Sequence, residues 1–199
     1  MHVMDSPSPS LAPARARDNP FRTECVDRLE FHLPGQFTWD TLLARLGNVS
    51  WCGAIVGPHG SGKTTLIEQL APRIEERGFR PRLYRLDAAS KMSDKEALVA
   101  AVRELSAPDL LLLDGAEQLS TRQWLPLRVA AETLAGFVIT VHRSSRLPTL
   151  VETETSAALL NDLVEELAEF RLPPMEATAI FTRHRGNIRD CLRELYDRW

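Results

Sequence analysis

The 199-residue chain contains little cysteine and no long apolar run. Its three cysteines, Cys25, Cys52 and Cys191, are far apart and form no Cys-x-x-Cys pair, which argues against a disulfide framework and a cysteine zinc site. No stretch approaches the roughly 20 apolar residues of a membrane helix, and the N-terminus lacks the apolar core of a signal peptide. We therefore expect a cytoplasmic protein with no membrane partner.

The chain also lacks a strong excess of charge. Its 24 basic and 27 acidic residues give a net charge of −3, so nucleic acid is expected to be reached only through a partner or complex. Lysine is scarce, because Lys63, Lys91 and Lys95 are the only lysines among the 24 cations. A lysine at a motif position is therefore harder to attribute to chance.

The pattern of apolar residues predicts one globular unit behind an N-terminal tail. Residues 1–18 include the run Ser6-Pro7-Ser8-Pro9-Ser10 and lack apolar periodicity, which predicts a disordered tail. The following residues predict a P-loop core over 19–172 and a short helical lid over 173–199. Alternation of strands and helices predicts the α/β class, a three-layer α/β/α sandwich on a mostly parallel five-stranded sheet. The predicted strands are 52–56, 82–87, 110–113, 136–141 and 169–172.

A glycine-rich loop carries the strongest functional signal. Residues 57–64 fit G-x-x-x-x-G-K-[ST] between an apolar strand pattern and a helix pattern. Backbone amides of such a loop surround phosphates, and its glycines are expected to leave room that a Cβ would fill. Lys63 would reach the β and γ phosphates of ATP, and Thr64 would offer its hydroxyl to Mg²⁺. The predicted cofactor-binding residues are Gly57, Pro58, His59, Gly60, Ser61, Gly62, Lys63, Thr64 and Thr65.

A second motif is the run of four leucines that ends at Asp114. A carboxylate at the end of a buried strand needs a partner, and Mg²⁺ held together with Thr64 supplies one. A carboxylate that caps the next helix is the alternative.

Together these motifs resemble the ATPase branch of P-loop NTPases, in which an extra strand separates the two motif strands. The strand predicted at 82–87 suggests this arrangement, and ATP is favoured over GTP because no [NT]-K-x-D guanine motif is present. The chain from 19 to 199 resembles the core of AAA-plus ATPases. In that family a glutamate that activates water commonly follows the metal-binding aspartate. Gly115 stands there, so either Glu117 is the base or hydrolysis is slow or absent.

The same resemblance implies roles for residues nearer the C-terminus. His142 follows the strand predicted at 136–141, at the position of a polar γ-phosphate sensor. Arg189 lies in 185–190, which resembles the segment that carries a lid arginine toward the nucleotide, with Asn187 as a helix cap. The family's arginine finger has no clear match.

Other positions remain open as candidates. Arg143 and Arg146 are substitutes for the finger, and oligomerisation is left open. Phe21, Trp39 or Trp51 are candidates for stacking on adenine, or else they are core residues.

The residues and the resemblance indicate an ATP-binding, magnesium-dependent ATPase or nucleotide switch that acts on a protein partner or a DNA-processing complex. The DNA-processing clause comes from the family alone. A small-molecule kinase that transfers the γ-phosphate, with acceptor-positioning arginines in 142–146, is one alternative. A nucleotide-binding scaffold that does not hydrolyse ATP is another.

Overall fold

A computed structural model describes residues 16–35, 37–143 and 147–199. Nearly all of the predicted tail and Arg146 lie outside these described residues, and Ala16–Asp18 form a 3₁₀ turn. The described chain forms five strands and eight α-helices. The strands are β1 (Cys52–Val56), β2 (Arg80–Arg85), β3 (Asp109–Asp114), β4 (Gly136–Val141) and β5 (Thr149–Glu152). The helices are α1 (Thr23–Val26), α2 (Trp39–Asn48), α3 (Lys63–Glu75), α4 (Met92–Arg103), α5 (Thr121–Ala130), α6 (Ala157–Ala168), α7 (Pro174–Arg183) and α8 (Ile188–Arg198).

All five strands are parallel and lie in the order β2-β3-β4-β1-β5. Every residue of β3 and β4 is buried, as expected for apolar strands covered on both faces. One hydrophobic cluster packs α4 and α5 on one face, and a second packs α2 and α3 on the other. The predicted α/β sandwich is confirmed.

The order of the strands places β4 between β1 and β3. The strand that separates the two motif strands in the sheet is therefore β4, whereas the strand predicted at 82–87 corresponds to β2 at the edge. The carboxyl ends of β1, β4 and β3 lie side by side, which brings the glycine-rich loop, His142 and Asp114 to one edge of the sheet.

The predicted edge strand at 169–172 is wrong. Helix α6 ends in a left-handed residue, Glu169, and the following residues lie outside any strand. The fifth strand is β5, which pairs with β1 and directly follows the segment after β4. Because β5 has only four residues, its apolar pattern is too short to distinguish it from a loop.

A third hydrophobic cluster joins α6, α7 and α8, and its buried members include Leu160, Ile180 and Leu192. The predicted boundary at 172/173 falls inside this cluster, because α6 lies on one side of it and α7 and α8 on the other. Phe21 is also buried in the cluster, with its ring edge-on to Trp199.

Candidate functional site

The glycine-rich loop at 57–64 turns from β1 into α3 through two left-handed glycines, Gly60 at φ 70° and Gly62 at φ 79°. Helix α3 begins at Lys63, so its first amides point toward the loop. The Lys63 ammonium donates to the carbonyl oxygens of Gly57 at 2.8 Å and Pro58 at 2.7 Å. It therefore lies across the loop, and burial lowers its pKa, an effect that Glu117 and Asp114 oppose.

Protein groups occupy the space that side chains at the loop glycines would fill. A Cβ at Gly57 would lie 1.9 Å from the Thr153 hydroxyl, and one at Gly60 would lie 1.9 Å from the side-chain oxygen of Asn187. A Cβ at Gly62 would lie 2.9 Å from the Phe31 ring. The loop pattern predicts that this space is kept for phosphates, whereas in the structure internal packing already requires the glycines.

The remaining loop residues are also held by neighbours. Ser61 donates its hydroxyl to the Pro58 carbonyl at 2.9 Å and lies 2.6 Å from the Thr153 hydroxyl. The His59 ring lies against the His142 ring, with centroids 3.7 Å apart. Thr65 occupies the first turn of α3.

Asp114 is buried at the end of β3 and accepts hydrogen bonds on both oxygens. Thr64 donates to Oδ2 at 2.7 Å, and Thr140 of β4 donates to Oδ1 at 2.5 Å. The Arg85 guanidinium lies 3.5 Å from Oδ2. Thr140 and Arg85 were not predicted from the sequence, because their contacts with Asp114 depend on the order of the strands.

Thr64 and Asp114 suit a magnesium ion in chemistry and position. The Thr64 hydroxyl oxygen and Oδ2 of Asp114 are 2.7 Å apart, so one ion could contact both. Mg²⁺ in nucleotide sites needs only one or two protein oxygens besides water and phosphates. The described residues contain no cluster of three or more His, Cys, Asp or Glu that could hold a metal by themselves. The pair therefore fits an ion that arrives together with a triphosphate.

Gly115 has a left-handed backbone conformation that residues with a side chain rarely adopt, with φ at 84°. A Cβ there would lie 2.0 Å from the carbonyl oxygen of Leu86, and its amide donates to Thr140 at 2.8 Å. Both the backbone conformation and the nearby carbonyl therefore favour glycine at position 115. A glutamate cannot enter there unless the backbone moves.

Glu117 and His142 form a pair beside this glycine. The Nε2 atom of His142 lies 2.7 Å from a Glu117 carboxylate oxygen, and each side chain is about one quarter exposed, at 24% and 25%. Nδ1 of His142 lies 3.3 Å from the Lys63 ammonium. Nδ1 also lies 3.3 Å from the Gly57 carbonyl oxygen. The neutral Nε2–H tautomer donates to Glu117 and accepts from Lys63, and the Lys63 ammonium satisfies the Gly57 carbonyl by donating to it.

Burial lowers the pKa of His142 below its usual range. The negative charge of Glu117 opposes this shift, and the positive charge of Lys63 and the His59 ring reinforce it. Neutral histidine is therefore the dominant form near pH 7, and the pair behaves as one hydrogen-bonded unit next to the loop.

The start of α8 meets the loop through Asn187 rather than through Arg189. Asn187 caps α8 by accepting from the Asp190 amide, as expected, and its backbone and side chain lie against Gly60. Arg189 is exposed and belongs to none of the ion pairs found among the described residues. Its role as a phosphate contact stays a prediction.

The three aromatic candidates for adenine are engaged elsewhere. Phe21 is buried in the third hydrophobic cluster, the Trp51 ring packs on Phe79 with centroids 4.4 Å apart, and the Arg73 guanidinium covers Trp39 at 3.7 Å. Arg143, a substitute for the arginine finger, is exposed.

Comparison with known proteins identifies the fold. No family model and no curated protein matches the chain. Among solved structures, the Holliday junction branch migration motor RuvB of Thermotoga maritima has a TM-score of 0.55 at 21% identity over 81% of this chain and 60% of that one. AMPPCP-bound DnaA of Aquifex aeolicus has a TM-score of 0.53 at 19% identity over 76% of this chain and 57% of that one.

These likenesses define the class: the chain has the fold of the AAA-plus P-loop NTPases. It spans 57–60% of the length of those two proteins. No helix in the described part of the chain has both the length and the apolar character needed to cross a membrane.

Proposed function

We propose that the protein binds Mg·ATP in the 57–64 loop and acts as a slow ATPase or nucleotide switch. One observation carries the proposal: the lysine that crosses the loop and the contact between Thr64 and Asp114 lie at the same edge of the sheet. Lys63 and the first amides of α3 would hold the phosphates, and Thr64 and Asp114 would hold Mg²⁺. When bound, Mg²⁺ neutralises charge on the phosphate oxygens.

Glu117 is the proposed general base for hydrolysis. Its carboxylate would take a proton from the attacking water, whose oxygen bonds to the γ-phosphorus as the bond to the ADP oxygen breaks. His142 holds Glu117 at 2.7 Å and would act as a positioning residue. Because the hydrogen bond from His142 stabilises the Glu117 carboxylate, it also makes that carboxylate a weaker base, and turnover is expected to be slow.

A role as a switch also rests on the contact between the lid and the loop. Asn187 lies against Gly60, so phosphates entering the loop would act directly on the start of α8. The exposed guanidinium of Arg189, two residues further on, is free to turn toward them. A protein partner that senses the lid, alone or in an oligomer, would receive the signal in the cytoplasm. DNA would be reached only through that partner.

The experiment is a titration with ATP and Mg²⁺ by isothermal calorimetry, using Lys63→Ala and Lys91→Ala. Lys91 is exposed at the start of α4 and serves as the matched control. The proposal predicts that Lys63→Ala abolishes measurable binding while Lys91→Ala binds as the wild type does. Equal affinity in the wild type and Lys63→Ala would refute it.

The kinase alternative requires acceptor-positioning arginines in 142–146. Among the described residues of this segment, His142 contacts Glu117 and Arg143 is exposed, whereas Arg146 lies outside the described residues. Production of ADP only when an acceptor is added would favour the kinase. Binding of ATP without any ADP production would favour the scaffold.

A further inference from the structure

Arg85, at the end of β2, bridges two carboxylates at the edge of the proposed site. Its Nε atom lies 3.5 Å from Oδ2 of Asp114, and its Nη2 atom forms an ion pair with Glu68 of α3. The oxygen of Asp114 that faces Arg85 is the same one that accepts from Thr64. The guanidinium therefore stands beside the one carboxylate oxygen that also faces the Thr64 hydroxyl.

Two properties make Arg85 easy to displace from Asp114. Its side chain is 52% exposed, whereas that of Asp114 is 9% exposed, so the arginine can move without disturbing the core. Glu68 is 46% exposed and already holds the other end of the guanidinium. Withdrawal from Asp114 would leave Arg85 with a partner and with water.

A divalent cation at Asp114 and a guanidinium in contact with the same oxygen repel each other. The backbone of β2 is fixed here, because the Leu86 amide donates to the Asp114 carbonyl at 2.8 Å, so only the Arg85 side chain can give way. We propose that the Arg85 guanidinium competes with Mg²⁺ for Asp114 and withdraws toward Glu68 when the metal binds. This inference rests on the proposed function.

Arg85→Gln tests the competition. An exposed ion pair of this kind corresponds to a factor of about two to five in an equilibrium constant. Mg²⁺ is expected to strengthen ATP binding, and the free Mg²⁺ concentration that gives half of this increase in affinity is the measured midpoint. In Arg85→Gln this midpoint should be lower than in the wild type by that factor. Affinity for ATP at saturating Mg²⁺ should be equal to that of the wild type or higher.

Glu68→Gln tests the same idea in the opposite direction. Among the carboxylates of the described residues that pair with Arg85, Asp114 alone remains once Glu68 is replaced, so the variant should need more Mg²⁺ than the wild type. The double variant should behave like Arg85→Gln, because Glu68 acts through the arginine. Arg77→Gln is the control, since Arg77 pairs with Asp40 and should leave the Mg²⁺ requirement unchanged.

The experiment measures ATP binding by calorimetry over a series of free Mg²⁺ concentrations, and circular dichroism checks the folding of each variant. Opposite shifts in the two single variants support the inference. An unchanged Mg²⁺ requirement, or shifts in the same direction, would overturn it alone. Weaker ATP binding by Arg85→Gln at saturating Mg²⁺ would mark Arg85 as a phosphate ligand and would also overturn it. Absence of ATP binding by the wild type would overturn the proposed function, and this inference with it.

Discussion

Placing a glutamate after Asp114, by Gly115→Glu, should destabilise the protein and should not accelerate ATP hydrolysis. A non-glycine residue at the observed φ of 84° costs about 1–2 kcal/mol. The Cβ would also lie 2.0 Å from the Leu86 carbonyl oxygen, so the backbone of β2 or of Gly115 must shift.

Such a shift threatens two hydrogen bonds of 2.8 Å, from the Leu86 amide to Asp114 and from the Gly115 amide to Thr140. Each bond contributes roughly 0.5–1.5 kcal/mol, so the total loss in the free energy of unfolding is about 2–5 kcal/mol. That is a large part of the stability of an ordinary domain. The shift would also move Asp114, which weakens the proposed metal site.

Urea denaturation of Gly115→Ala, Gly115→Glu and Gly78→Ala measures these contributions separately. Gly78 is the matched control because it has φ at 89° and a Cβ added there would meet no atom within 4 Å. Its substitution should cost only the conformational part, about 1–2 kcal/mol, and Gly115→Ala should cost more. The reasoning is refuted if Gly115→Glu is as stable as the wild type and hydrolyses ATP faster.

Two further predictions concern the pair beside the loop. Glu117→Gln should reduce phosphate release by up to about 10²–10⁴-fold with ATP affinity unchanged. Glu132→Gln, at an exposed site, is the control and should have no effect. Equal turnover in both variants would show that Glu117 is not the general base. Because the pKa of His142 is lowered on folding, its contribution to stability is complete above its unfolded pKa of about 6.5 and is lost as the pH falls through the folded pKa. Unfolding free energies measured on either side of that range should show a decline toward acid that His142→Gln makes shallower, and identical slopes would contradict this assignment.

Local patterns were sufficient to predict four of the five strands and the loop. The strand predicted at 136–141 has the bounds of β4, and the apolar runs at 52–56 and 110–113 became β1 and most of β3. In each case a continuous apolar run specifies a buried strand wherever its neighbours lie. The edge strand β5 was missed because four residues after a proline are too few to show a strand periodicity. The alternating apolar residues at 169–172 fit a strand pattern although they form none.

Contacts between residues far apart in the chain could not be predicted from the sequence. The pairing of Glu117 with His142 and the bridge from Arg85 to Asp114 depend on which strands are neighbours. The left-handed backbone of Gly115 became evident only once the approach of Leu86 was visible. Family resemblance drew attention to Gly115 as a missing glutamate, whereas the structure explains why that position holds glycine.

The central claim is that one loop and one aspartate together hold Mg·ATP. A crystal structure grown with Mg²⁺ and a non-hydrolysable ATP analogue tests it most directly. The account predicts the phosphates within 57–64 near the Lys63 ammonium, and the metal next to Thr64 and Asp114. An analogue bound elsewhere, or phosphates in the loop with the metal away from Asp114, would contradict it.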